Sequence, residues 1–374
     1  MAGPVIMIDR APLLAALRDV APIAPRNGHM DILANLLIEA GADGSLRLSA
    51  SNIDVLARRT ISAAVPQAGT TTISAQRLSQ IVAATEEGAQ VKVDASASGT
   101  ASIVSGRARF RVGTLPANHF PPMPFGEPAA AFEMDAAALR RALTAVQPSI
   151  CRQESRYWLC GVYIHAAVGQ LNFVSTDGDR MSRVTLPAPA GAEALGGMIV
   201  SPAFVSILVQ ATDGEEGAVR LEFGESKVRA SLDGFVVTAR AIDGTFPDYT
   251  RAVSSAADWA ASVEVDRPEL EAALARILLV SDGKDRGRVT RFDFAADRLT
   301  LSTVASADEA VEELACALSG EPFAMGLLGS HVREAVRTLG GERVAFGVVN
   351  PMHPAMITSP TRADASLSLS GYRL

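Results

Sequence analysis

One pattern recurs three times along the chain and limits what it can fold into more than any other feature. The segments IDRAPLLAALRDV from Ile8, MDAAALRRALTAV from Met134 and VDRPELEAALARI from Val265 each carry an aspartate at the front: Asp9, Asp135 and Asp266. Apolar residues follow at fixed spacing, as Leu13, Leu17, Val20, then Leu139, Leu143, Val146, then Leu270, Leu274, Ile277. That spacing draws one stripe along an α-helix. The aspartate suits an N-cap, where a carboxylate accepts a bond from an otherwise unpaired backbone N–H.

Three amphipathic helices alone would say little, but the other landmarks recur in step. Alternating strands read LANLLIEA, LCGVYIHA and VTRFDFA, and second strands begin at Leu46, Leu171 and Leu299, with Gly44, Gly169 and Asp297 in the turns between. A second helix begins at Ser74, Ser201 and Gly329, ends near Gly88, Gly217 and Gly341, and gives way to further alternating strands. Phe120-Pro121 and Phe246-Pro247 lie 126 residues apart, the interval from Asp9 to Asp135. The chain therefore reads as three copies of one α+β domain, at 1–125, 126–252 and 253–374. Each copy is two βαβββ halves, with its two helices together on one face of curved antiparallel sheets. Prolines at Pro116, Pro121, Pro122, Pro124 and Pro247 mark the joins.

Composition narrows the function. Of 374 residues 48% are hydrophobic and 20% charged, which excludes a mostly disordered chain. The net charge of −7 argues against a surface coated in cations for gripping nucleic acid, yet is compatible with basic groups confined to one face. Lys92, Lys227 and Lys284 are the lysines among 34 cationic residues. No apolar run reaches the roughly 18–20 residues that span a bilayer. The start, MAGPVIMIDRAPLL, lacks a basic n-region. Cys151, Cys160 and Cys316 show no CxxC spacing and fit a reducing compartment, so a cytoplasmic, nucleoid-associated protein without membrane contact is expected. His29, His119, His165, His331 and His353 are scattered, without metal-ligand spacing. There is no GxGxxG, P-loop or GxSxG, and Asp177 and Asp179 read as turn chemistry in TDGD. Neither an active site nor a metal nor a cofactor is expected.

Several segments are sharper still: SGRARF from Ser105, RYWLCG from Arg156, STDGDRM from Ser175, AIDGTFPDY from Ala241 and the terminal Arg373-Leu374. With the triplication, they make the whole chain resemble the bacterial DNA polymerase III beta subunit family, the sliding clamps. The resemblance implies the DNA-clamp fold and a head-to-tail homodimer, with helices lining a ring around double-stranded DNA and antiparallel sheets outside. It implies sequence-independent DNA contact and tethering of the DNA polymerase III catalytic subunit, a clamp loader and other replication or repair proteins through short Leu/Phe peptide motifs. A negative protein with sparse inner cations would slide, because phosphate contacts are salt-labile and carry no sequence information.

By the same resemblance, Arg26, Gln153, Tyr157 and Trp158 face DNA. The partner-peptide pocket takes Arg156, Leu159, Thr176, Gly178, Asp179, Arg180, Met181 and Pro247, with Pro354, Met356, Tyr372, Arg373 and Leu374. The dimer seam takes Arg77, Ile81, Arg107, Arg109 and Phe110 from one end of the chain. From the other it takes Leu279, Val280, Asp308, Glu309, Glu312 and Glu313, so that opposite charges fix the orientation around an apolar centre. Three departures stand out. The helix in VSPAFVSILVQA carries no cation, Asp179 stands where a neutral or basic residue is usual, and the tail ends Ser370-Gly371-Tyr372 instead of Met-Pro-Met before Arg-Leu. They leave open a clamp-like paralogue, a specialised interaction scaffold with altered peptide binding and weak DNA contact.

Overall fold

The computed structural model describes residues 3–26, 30–280, 289–305, 308–350 and 353–374; His29 and Lys284 lie outside them. The first repeat runs β1 (Val5–Asp9), α1 (Arg10–Val20), β2 (Asn35–Ala40), β3 (Ser45–Ser51), β4 (Val55–Ser62), β5 (Ala64–Gln67), β6 (Gly69–Ser74), α2 (Ala75–Ala84), β7 (Gln90–Asp94), β8 (Thr100–Ser105) and β9 (Ala108–Gly113). The second runs β10 (Ala130–Asp135), α3 (Ala136–Val146), β11 (Val162–Ala167), β12 (Gln170–Thr176), β13 (Arg180–Pro187), β14 (Met198–Val200), α4 (Pro202–Ala211), β15 (Ala218–Phe223), β16 (Lys227–Leu232) and β17 (Phe235–Arg240). The third runs β18 (Ala261–Asp266), α5 (Arg267–Ile277), β19 (Val289–Phe294), β20 (Arg298–Ala305), β21 (Asp308–Ser319), β22 (Phe323–Leu328), α6 (Gly329–Leu339), β23 (Arg343–Val348), β24 (Ala355–Thr358) and β25 (Ala365–Leu369). Strand, helix and three strands thus recur six times, with β5 added.

The helical stripes are buried as their spacing requires: Leu13, Leu17 and Val20 in α1, Leu270, Leu274 and Ile277 in α5. Each such side chain taken fully out of water contributes about 1.5–3 kcal/mol. In the first and third repeats the two helices pack on each other, α1 on α2 and α5 on α6. The same backbone bond follows each leading aspartate: Arg10 N–H to the Ala89 carbonyl (2.9 Å), Ala136 N–H to Gly217 (2.8 Å) and Arg267 N–H to Glu342 (2.8 Å).

Local chemistry departs from expectation in readable ways. Asp266 caps α5 by accepting from the Glu269 N–H at 2.9 Å, whereas Asp9 holds the N-cap position of α1 without a capping bond. The cause is Pro12, which occupies the third helical position and has no N–H to donate. β2 begins at Asn35 and β11 at Val162, later than the alternating patterns suggest, because short 3₁₀ turns occupy Asp31–Ala34 and Glu154–Leu159. After α4 the left-handed residue is Gly214 (φ +74°), upstream of the expected Gly217.

The described residues form two compact units. The unit of Met1–Ala136 and Ser206–Ala241 holds a five-stranded sheet, β5-β1-β7-β8-β9, and an eight-stranded one, β10-β15-β16-β17-β4-β3-β2-β6. The unit of Ala137–Val205 and Ile242–Leu374 holds a twelve-stranded sheet, β14-β11-β12-β13-β25-β24-β23-β18-β21-β20-β19-β22. Within every repeat the leading strand of one half joins the meander of the other half. β1 pairs with β7 and β6 with β2; β10 with β15 and β14 with β11; β18 with β23 and β22 with β19. Sheets also run on from repeat to repeat, through β17 on β4 (Val237 opposite Ala57) and β25 on β13 (Leu367 opposite Ser182).

Candidate functional site

The turn between β12 and β13 is built by its own side chains. Asp177 Oδ1 accepts from the N–H groups of Asp179 and Arg180, both at 3.0 Å. Thr176 Oγ1 accepts from Gly178 N–H at 3.1 Å and donates to the Arg180 carbonyl at 2.7 Å. Gly178 has φ +95°, and a Cβ there would come within 2.6 Å of the Arg156 guanidinium. The left-handed backbone favours glycine, while the guanidinium, the far end of a flexible side chain, would only have to swing aside.

Arg180, only 11% exposed, donates to Asp177 (3.0 Å), to Glu334 on α6 (2.5 Å) and to the Pro148 carbonyl just beyond α3 (2.5 Å). Gln153, Arg156, Asp179 and Arg180 thereby border one groove of about 480 Å³ with His331 and Glu334. Burial, and then the charge of Arg180, hold the His331 imidazole below its ordinary range. Neither His331 nor Glu334 was expected at a site; Glu334 meets Arg180 from 154 positions away.

The apolar half of the expected pocket lies on the other face of the sheet. Ser182 bonds Ser149 at 2.7 Å and Arg180 reaches Pro148, so residue alternation turns Met181 away from them. Met181 packs in a buried cluster with Leu159, Cys151 and Phe246. Met181 and Met356 flank Ser368 in one cross-strand row, which places both methionines on one face. Thr176 opposes Met181 in the same row. Pro354 is half-buried and Pro247 exposed beside Phe246. The tail is held by backbone pairing: Ser370 N–H donates to the Asp179 carbonyl and Tyr372 N–H to Gly326, each at 2.9 Å. A Cβ on Gly326 would meet the Tyr372 oxygen at 2.8 Å, and Leu374 lies 3.3 Å from the same point. Arg373 is exposed.

Gln153, Tyr157 and Trp158 share the Glu154–Leu159 turn or its edge. Tyr157 is half exposed and sets its ring edge against Trp158 (centroids 5.2 Å, 83° between planes), while Trp158 covers Gly244. Arg26 is exposed on a groove of about 510 Å³ between α1 and α2, which Arg18 also lines. Other helix cations serve structure: Arg10 donates to the carbonyls of Val82 and Ala83, closing the end of α2.

The expected seam residues lie on and around β9 and α2 in one unit, and on β21 and just after α5 in the other. β9 is an edge strand with Arg107, Arg109 and Arg111 exposed and Phe110 37% exposed; Ile81 lines a groove with Arg107 and Phe110, and Arg77 is exposed on α2. β21 pairs β20 over Asp308–Ala315, and with β18 only beyond that, leaving its other side open there. Glu312 is engaged by Arg276 and Glu313 by Arg298 (3.5 Å), while Asp308 and Glu309 are exposed. Leu279 is 84% exposed and Val280 half-buried.

A βαβββ unit used six times, with meanders that exchange their leading strands and sheets that continue across repeats, defines a clamp-type architecture. Family models agree along the chain: the DNA polymerase III beta subunit N-terminal domain matches residues 5–124, the central domain 133–248 and the C-terminal domain 257–369. The beta sliding clamp of Caulobacter vibrioides is 29% identical over 374 residues, covering 99% of this chain and 100% of the relative. That of Escherichia coli K12 is 28% identical over 370 residues, covering 98% and 99%. Among solved structures, a DnaN sliding clamp from Bartonella birtlesii bound to griselimycin superposes with TM-score 0.94 at 29% identity, covering 99% of this chain and all of that one. The sliding clamp of Caulobacter crescentus gives 0.92 at 28%, with the same coverage. This chain belongs to the DNA polymerase III beta subunit family, the sliding clamps.

Proposed function

We propose that two copies of this DNA sliding clamp close head to tail into a ring around duplex DNA and tether DNA polymerase III and other replication and repair proteins to it. The observation that carries this reading is a repeated register. At each internal junction the last strand of a second half pairs with the last strand of a first half. Val237 opposes Ala57 at one and Leu367 opposes Ser182 at the other. The hairpins behind them align residue for residue: Ser51 with Leu56, Thr176 with Met181, Val304 with Glu309. By that alignment the strands left over are β9 of one copy and β21 of the other. The same register sets Phe110 against Ala310, Arg111 against Glu309 and Arg107 against Glu313. Two strand edges of opposite charge, β9 and the free side of β21, are thereby paired, which is how a closed cyclic assembly covers edges that the separate copies leave open.

The three domains divide at 1–125, 126–252 and 253–374. Arg26, Gln153, Tyr157 and Trp158 contact DNA, the arginine through phosphate and the aromatics through stacking. Peptides bearing Leu or Phe dock on the face of Leu159, Met181 and Met356, beside Pro247 and Pro354. Thr176 and Gly178 shape its rim, Tyr372, Arg373 and Leu374 supply polar and apolar edges, and Arg156, Asp179 and Arg180 act from the groove on the other face of the sheet. A clamp loader opens the ring, and the protein is non-catalytic, acting in the cytoplasm at the nucleoid. Among the described residues no helix is long and apolar enough to cross a membrane. The test is retention: protein loaded on nicked circular DNA stays bound through gel filtration and is released when the circle is cut. Equal retention on cut and uncut DNA would contradict encirclement.

A further inference from the structure

Cys151 and Cys160 flank the turn that carries Gln153, Arg156, Tyr157 and Trp158, and their sulfurs converge on one residue, Gln153. The Gln153 N–H donates to Cys151 Sγ at 3.4 Å, and Cys160 Sγ donates to the Gln153 carbonyl, also at 3.4 Å. Cys160 Sγ further reaches the Arg156 carbonyl at 3.6 Å. The backbones are clasped as well, Cys151 N–H donating to the Leu159 carbonyl at 3.1 Å. Across that bond and the next peptide the two Cα atoms lie within about 7 Å of each other, at the outer edge of the range a disulfide bridges. Cys151 is buried in the Leu159–Met181 cluster, and Cys160 packs against it while remaining partly exposed.

We propose that Cys151 and Cys160 are a redox-modifiable dithiol whose disulfide staples the Gln153–Leu159 turn in one conformation. Hydrogen peroxide is the oxidant. The exposed Cys160 thiolate attacks one peroxide oxygen, the O–O bond breaks and hydroxide leaves to become water, giving a sulfenic acid. The Cys151 sulfur then displaces hydroxide from that sulfenic sulfur, forming the S–S bond and a second water. Two thiols lose two electrons and two protons, and one peroxide becomes two waters. A dithiol reductant reverses the change by thiol–disulfide exchange. Bridging removes the thiol proton that Cys160 gives to the Gln153 and Arg156 carbonyls and ties both ends of the turn covalently. Burial and the neighbouring Cys151 thiol push Cys160 above its ordinary range. The reaction therefore quickens as pH rises towards that value, in proportion to the thiolate fraction. The modification does not depend on ring closure.

Trypsin supplies the test. Cleavage after Arg141, Arg152, Arg156 and Arg180 separates Cys151, on peptide 142–152, from Cys160, on peptide 157–180. The full chain is treated with hydrogen peroxide, alkylated and digested without reductant. The expected result is one mass joining the two peptides, Cys316 still alkylated, and amide exchange over 152–159 slowed at least fivefold, all reversed by dithiothreitol. Cys316→Ser should leave the joined peptide unchanged and Cys160→Ser should abolish it. Three equally alkylated cysteines after peroxide, a bond involving Cys316, or a joined peptide with unaltered exchange in the turn would each overturn the proposal.

Discussion

Reversing Arg107 and Arg111 to glutamate tests the seam register at its charged face. Arg111 is exposed on the edge strand β9 and Arg107 in the turn just before it, both away from the buried core, so the fold itself is spared. An opposite-charge pair across strands contributes about 0.2–1 kcal/mol, and like charges there repel by a similar amount. Each reversal therefore shifts a pair by about 0.4–2 kcal/mol. Two pairs per seam and two seams per ring give about 2–8 kcal/mol in total, with a middle value near 4 kcal/mol, or about a thousandfold in the dimer dissociation constant. Sedimentation equilibrium across a concentration series reads that change directly, and added salt should shrink it. The register further requires recovery when Glu309 and Glu313 are changed to arginine in the same chain, because the pairs are then restored with swapped signs. A double reversal that dimerises as tightly as the parent, or a fourfold variant that stays monomeric, would refute the pairing.

Three other outcomes follow from the site. His331 is held neutral by burial and by Arg180, so its folded-state value lies below the unfolded one and protons bind the unfolded chain preferentially. Stability should be full above about pH 6.5 and fall as pH drops below it; His331→Gln should flatten that slope in denaturant titrations between pH 7.5 and 5.5. Gly178→Ala forces a Cβ towards Arg156 and strains a left-handed backbone, and should lower the unfolding free energy by about 1–2 kcal/mol, while the same change at exposed Gly126, also left-handed but with open space around it, should cost less. Arg26→Ala should weaken duplex binding evenly across sequences and reduce the salt slope by about one, measured by fluorescence anisotropy from low to moderate salt.

Much of the architecture is legible in the chain because its causes are local. Helical stripes, turn glycines and the interval between repeats all lie within short windows, and even the missing cap at Asp9 is written in Pro12. What is not legible depends on partners far away in sequence. Nothing near β1 says that it pairs with β7 in place of β2, since strand pairing is decided by the closed fold. β5 is a short addition without a counterpart in the other repeats. Of the groove, TDGDR supplies Asp177, Asp179 and Arg180, but Glu334 and His331 come to it from another helix, far away in sequence. Arg111 joins the proposed seam only when the register of the two internal junctions is extended to it. The division of Met181 from Arg180 is a matter of strand alternation, visible once β13 has a defined start.

The most direct measurement is cross-linking at the third junction. With the native cysteines replaced by serine, Phe110→Cys and Ala310→Cys in one chain are treated with a short bifunctional thiol reagent. The register predicts a covalently circular dimer, closed at both seams, as the sole cross-linked species on a denaturing gel. A ladder of open multimers, or no cross-link at all, would contradict it.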